Sequence, residues 1–136
     1  MIRAGDTVCP FILKVIEMNP SQSPITILGC GSYGTALAIS FSRHGSPTYL
    51  WGHNPDHIHQ MQQERQNRRF LPDIEFPESL HLELDLKTAL EQSKDILIVV
   101  PSHAFGEILL KIRPHLKSAH RLIWATKGLE RNTGRL

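Results

Sequence analysis

The chain has 136 residues, enough for one compact domain and too few for two of ordinary size, and its 40% hydrophobic and 21% charged content excludes wholesale disorder or a fibrous repeat. A net charge of +2, with acids and bases interspersed, nominates neither nucleic acid nor a membrane surface as partner. Cys9 and Cys30 form no CxxC pair and no apolar run reaches the roughly 18 residues of a membrane span, so the expectation is a reduced, cytoplasmic protein without membrane insertion.

Residues 1–24 fit no alternating αβ pattern. Their apolar part, 8–18, carries Pro10, Lys14 and Glu17 and lacks both the basic start and the small-residue cleavage site of a signal peptide. The cluster Asn19-Pro20-Ser21-Gln22-Ser23-Pro24 breaks any element before the next strand. Residues 1–24 are therefore expected to be a flexible extension, and 25–136 the folded domain.

Ile25-Thr26-Ile27-Leu28 is a short apolar run stopped by glycine, suited to a strand buried on both faces. Tyr33, Ala36, Leu37 and Phe41 then fall at helical spacing, and Arg43, His44 and Gly45 end that helix. Thr48-Tyr49-Leu50-Trp51 reads as a second strand, and Asn54-Pro55 opens a second helix with asparagine as N-cap and proline in the first turn. Arg65, Arg68 and Arg69 make the densest basic stretch, read as a solvated helix end or loop. Residues 67–79, with Pro72 and Pro77, read as a loop crossing to a strand near 80–84.

A short helix is expected over 86–92, and Asp95-Ile96-Leu97-Ile98-Val99-Val100, stopped by Pro101, is the strongest strand in the chain. Phe105, Ile108, Leu109 and Ile112 mark an amphipathic helix ending near Pro114, and 121–125 returns as a strand. Strands alternating with helices imply an α/β fold, a Rossmann-type, doubly wound and mostly parallel sheet with helices on both faces.

The turn Gly29-Cys30-Gly31-Ser32-Tyr33-Gly34 follows a strand, opens a helix and sits in a βαβ unit of roughly 30 residues, the context in which GxGxxG carries meaning. Gly29 would permit the tight turn, Gly31 the approach of a pyrophosphate, and Gly34 close packing of helix on strand. Ser32 and Tyr33 would offer backbone amides at the positive end of the helix dipole. Cys30 reads as a small residue tolerated between glycines.

About 20 residues after such a turn, NAD-specific sites place a carboxylate on the ribose 2′-hydroxyl. Here the chain offers Trp51-Gly52-His53-Asn54 instead. His53 either donates to a 2′-phosphate or stacks near adenine, or is a polar loop residue; NAD or NADP both fit, with a slight tilt to NADPH. His53 and His57 lie four apart, but His53 precedes the helix and no further ligand completes a set, so no metal site is expected. His103 lies at the carboxyl edge of the sheet, as a ligand neighbour or as a capping or core histidine.

Four blocks together resemble the bacterial NAD(P)-dependent glycerol-3-phosphate dehydrogenases. They are Gly29-Cys30-Gly31-Ser32-Tyr33-Gly34-Thr35-Ala36-Leu37-Ala38, Leu50-Trp51-Gly52-His53-Asn54, Val99-Val100-Pro101-Ser102-His103-Ala104-Phe105-Gly106 and Trp124-Ala125-Thr126-Lys127-Gly128-Leu129-Glu130. The resemblance implies hydride transfer between dihydroxyacetone phosphate and sn-glycerol 3-phosphate, for phospholipid synthesis. It implies cofactor contacts from Gly29, Gly31, Ser32, Tyr33, Gly34, His53, Phe105 and Lys127, with Lys127 also reaching substrate. A cation suits a site that holds a substrate phosphate and a developing alkoxide.

The family is more than twice this long, and its proton-donating lysine and substrate-phosphate ligands lie in a helical second domain. No catalytic residue is therefore expected within this chain, which alone should bind cofactor with little or no turnover. A sheet that ends early also suggests self-association into a homo-oligomer. The competing reading is a stand-alone NAD(P)-binding regulatory or subunit module.

Overall fold

A computed structural model describes residues 23–125 of the chain. Strand β1 (Ile25–Leu28) leads through the glycine turn into helix α1 (Ser32–Arg43), strand β2 (Thr48–Trp51) and helix α2 (Pro55–Glu64). A hairpin of β3 (Gln66–Asn67) and β4 (Leu71–Glu75) follows, then β5 (Leu80–Glu83), α3 (Leu86–Glu91), β6 (Asp95–Ile98), α4 (Ser102–Ile112), a 3-10 turn (Arg113–His115) and β7 (Arg121–Trp124). Five strands form one sheet in the order β5-β2-β1-β6-β7, and every pairing in it is parallel.

Alternation along the central strands divides the core in two. Ile25 and Ile27 of β1, Leu50 of β2, and Leu97 and Val99 at β6 pack with Leu37, Ala38 and Phe41 of α1 and with Ile58 and Met61 of α2. Leu28, Trp51, Ile96 and Ile98 face the opposite way, onto Ala89 and Leu90 of α3 and Ile108 and Ile112 of α4. Both faces of β1 and β6 are covered, which is why these strands read as continuous apolar runs. Thr26 is the polar exception in β1; it is fully buried, and its hydroxyl, 2.7 Å from the Ala89 carbonyl, donates to it.

The expected architecture is present, with local corrections. The stretch 67–79 is not an unstructured crossing: it holds the β3–β4 hairpin, whose register shifts between Gln66 and Asn67. Asp73 adopts a φ of 67°, and Leu71 and Ile74 are both half-buried, so no strand-like alternation marked β4 in advance. Strand β6 ends at Ile98, two residues before the expected end, although the Val99 amide still donates to the Leu28 carbonyl at 2.8 Å. Helix α4 begins at Ser102, with Pro101 as its N-cap residue, so the proline opens a helix as well as stopping a strand.

Of the basic stretch, Arg68 and Arg69 are exposed, but Arg65 donates to the carbonyls of Pro77 at 2.8 Å and Leu80 at 2.7 Å, tying the end of α2 to the start of β5. Asn54 caps α2 as expected, its side chain accepting from the amides of Asp56 at 3.0 Å and His57 at 3.4 Å. The extension 1–24 lies almost wholly outside the described residues, as does Lys127. No helix of the described residues is long and apolar enough to cross a membrane.

Candidate functional site

From β1 the chain passes through α1 to β2 on one side, while β6 pairs on the other, so the connections diverge at β1, and sheets of this kind take their ligands beyond the carboxyl ends of the two strands at such a point, here β1 and β6. The glycine turn lies at that point. The Gly29 amide donates to the Trp51 carbonyl at 2.8 Å, fastening the turn to the end of β2.

The glycines of the turn are required for different reasons. Gly29 has φ of +120°, and a Cβ there would sit 2.0 Å from the Val99 carbonyl oxygen. A Cβ at Gly34 would sit 2.0 Å from the Gly29 oxygen, so this residue lets the first turn of α1 lie against the strand end. At Gly31 a Cβ would meet nothing within 4 Å, and its φ of −73° is open to any residue. Nothing within the described residues demands glycine at position 31; the space over it suits a group that approaches the backbone closely.

Gly31 is also the N-cap of α1 and supplies no side-chain cap, while the first turn contains no acidic residue. The first intrahelical bond runs from the Thr35 amide to the Gly31 carbonyl at 3.0 Å, so the amides of the first turn have no carbonyl of their own helix to meet. An anion placed there would be met by those amides and by the helix dipole, without carboxylate repulsion. Ser32 is exposed and Tyr33 half-buried against the first core cluster. These features fit a dinucleotide pyrophosphate.

Of the other expected contacts, His53 is exposed just beyond β2. Phe105 is half-buried in the first turns of α4, its ring centroid 5.9 Å from that of Trp124. His103 is exposed and is neither a cap nor a core residue, since the N-cap of α4 is Pro101. His57 is no metal ligand with His53: it is buried, with both nitrogens occupied by protein neighbours.

Sequence reasoning missed the support behind the turn. Asn67 is fully buried, and its side-chain amide donates to the Cys30 carbonyl at 3.0 Å and to the Thr35 hydroxyl at 2.8 Å. Its oxygen accepts from the Phe70 amide at 3.1 Å and lies 3.0 Å from His57 Nε2. His57 Nδ1 lies 3.7 Å from the Cys30 sulfur. Cys30 is thus more than a tolerated small residue. Its thiol occupies the space over Gly52, where a Cβ would fall 2.0 Å from the sulfur, and burial pushes the thiol pKa up to about 11. No local pattern marked Asn67 as a support for the turn, because the turn carbonyl and the α1 hydroxyl that it holds lie 37 and 32 residues away in the chain.

A parallel sheet with its connections diverging at β1, and a glycine turn there that leads into an uncapped helix, define a dinucleotide-binding domain of the Rossmann type. Residues 24–136 match the family described as NAD-dependent glycerol-3-phosphate dehydrogenase N-terminus. The chain belongs to that family.

It is 78% identical over 119 residues to the NAD(P)+ glycerol-3-phosphate dehydrogenase of Haemophilus influenzae, a match covering 88% of this chain and 36% of that protein. The corresponding protein of Mannheimia succiniciproducens is 69% identical over 119 residues, again 88% of this chain and 36% of the relative. The crystal structure of glycerol-3-phosphate dehydrogenase from Coxiella burnetii superposes with a TM-score of 0.75 at 48% identity, covering 79% of this chain and 33% of that one. The chain thus spans about a third of the length of these relatives.

Proposed function

We propose that this chain holds NAD or NADP for an enzyme that interconverts dihydroxyacetone phosphate and sn-glycerol 3-phosphate. The observation that carries the reading is the open space over Gly31 at the uncapped start of α1, beyond the carboxyl end of β1. In this reading Gly29, Gly31 and Gly34 shape the pyrophosphate cradle, and the amides of Ser32 and Tyr33 face its charge. His53 stands where the adenosine ribose or a 2′-phosphate would lie, and the lack of a carboxylate at that strand end leaves NADPH acceptable. Phe105 would flank the cofactor, and Lys127 would reach both cofactor and substrate. When bound, the nicotinamide supplies or accepts the hydride. The proton donor and the ligands of the substrate phosphate would come from sequence beyond the span matched here, so this chain alone should turn over little or nothing.

The names carried by the relatives support this reading over that of a stand-alone nucleotide-binding module. The reading also includes a domain over 25–136 preceded by an extension at 1–24, a cytoplasmic protein and self-association. Calorimetric titration of the chain with NADPH and NADH tests cofactor binding; a folded sample that binds neither would overturn it. NADPH oxidation dependent on dihydroxyacetone phosphate, measured in the protein extended to the length of its relatives, tests the activity.

A further inference from the structure

We propose that Asn67, on the hairpin outside the glycine motif, is a positioning residue that aims the turn's Gly31 amide by holding the Cys30 carbonyl. Its orientation is fixed by two backbone groups whose roles cannot change. The Phe70 amide can only donate, so it faces the Asn67 oxygen at 3.1 Å. The Cys30 carbonyl can only accept, so it faces the Asn67 nitrogen at 3.0 Å.

The remaining roles follow from these two. The second amide hydrogen goes to the Thr35 hydroxyl at 2.8 Å, which therefore accepts. His57 Nε2, 3.0 Å from the Asn67 oxygen, must donate, and in the neutral ring Nδ1, 3.7 Å from the Cys30 sulfur, is then the acceptor. One fully buried side chain thus joins α2, the hairpin, α1 and the turn, with both hydrogens and both lone-pair directions used.

The consequence for the turn is geometric. The peptide joining Cys30 to Gly31 is planar and trans, with its C=O and N–H on opposite sides. Holding the Cys30 oxygen towards Asn67 therefore directs the Gly31 N–H away from it. An uncapped helix start and an open Gly31 give an anion room; Asn67 fixes the direction in which one amide meets it. Backbone amides pre-set in this way lose little freedom when they bind, which is how a residue that never touches the ligand affects affinity.

This inference rests on the cofactor reading above, and its test separates the two. Asn67→Ala would leave the Cys30 carbonyl and Phe70 amide without partners and risks unfolding. Asn67→Asp keeps the size and the accepting oxygen but turns a second oxygen on the Cys30 carbonyl, so it is the primary variant. The 136-residue chain is titrated with NADPH and with adenosine 2′-monophosphate, which has no pyrophosphate, while hydrogen exchange of the turn amides is followed by NMR.

The expected result for folded Asn67→Asp is an NADPH affinity lowered about tenfold or more, against a change under about twofold for adenosine 2′-monophosphate. Unchanged NADPH affinity, or equal losses for both ligands, would overturn the positioning role. If the unaltered chain binds no NADPH, the cofactor reading fails and exchange decides the rest: faster exchange across 31–34 in the variant supports the role, and unchanged exchange overturns it. In the unaltered chain the Asn67 side-chain amide hydrogens should exchange slowly; rapid exchange would overturn the role without any variant.

Discussion

Gly29 and Gly31 stand two residues apart and differ in what a methyl group would meet. At Gly29 the methyl would strike the Val99 carbonyl in a backbone of φ +120°, so Gly29→Ala should cost about 2–4 kcal/mol of stability. At Gly31 the methyl meets only open space, so Gly31→Ala should cost about 1 kcal/mol or less, the N-cap preference of glycine over alanine, while lowering NADPH affinity about tenfold or more. Thermal melts and calorimetry on the two variants check this; equal effects on both quantities would refute the division of labour. The motif and the role of each glycine were legible in the sequence, but the atoms that enforce them were not, because the Val99 carbonyl that excludes a side chain at Gly29 lies at the end of β6, 70 residues away.

Cys30 gives a prediction in pH. Its thiol is protonated more tightly in the folded chain, with a pKa raised from 9.0 to about 11 by burial. As pH rises through 9 the unfolded chain releases this proton while the folded chain retains it, so the contribution is complete below pH 9 and declines up to about 11. The loss should reach roughly 2–3 kcal/mol in urea titrations across that window, and should be absent in Cys30→Ala. At pH 8, iodoacetamide should alkylate Cys30 more slowly in the folded chain than in urea, as read by peptide mapping.

Among the elements, those defined by runs of apolar residues or by a cap were readable in advance. The strands β1 and β2, the start of β6 and the Asn54-Pro55 start of α2 lie where pattern and capping chemistry put them. Asn54 is spent on the helix amides, so Asn54→Ala should cost about 1 kcal/mol in chemical denaturation. The β3–β4 hairpin escaped because β3 has only two residues and Asp73 takes a positive φ, so no local period exists to detect. Its place is set by long-range bonds from Asn67 and by the Phe76 amide, which donates to the Arg65 carbonyl at 2.7 Å. Strand β7 depends partly on charge: Arg121 grips the Asp95 carboxylate at 2.6 and 2.9 Å, and Asp95 is only 5% exposed. Arg121→Ala should therefore cost about 1.5–3 kcal/mol and speed amide exchange in β7 before β1.

At the scale of the molecule, the sheet order puts the proposed cofactor site at the ends of β1, the central strand, and its neighbour β6 rather than at an edge. A ligand that binds there and not to the unfolded chain stabilises the whole cooperative unit. NADPH at a hundred times its dissociation constant should add about 2.7 kcal/mol and raise the melting temperature by about 10 °C. No rise with either NADPH or NADH would contradict the proposed site. The parallel sheet with helices on both faces was visible from strand and helix alternation, but the strand order was not, since alternating strands and helices allow more than one doubly wound order.

The contact between the Cys30 sulfur and Gly52 makes those two positions conditional on each other in any variant of this chain. Gly52→Ala alone would drive its methyl into the sulfur and force the Cys30 thiol out of its present position, whereas with alanine also at position 30 the nearest carbon would be 3.5 Å away, an ordinary contact. A larger residue at 52 thus displaces the sulfur at 30 from the place it now fills. The two crossings at the ends of β1 and β2 share one small volume, and the sequence can fill it from either side but not from both.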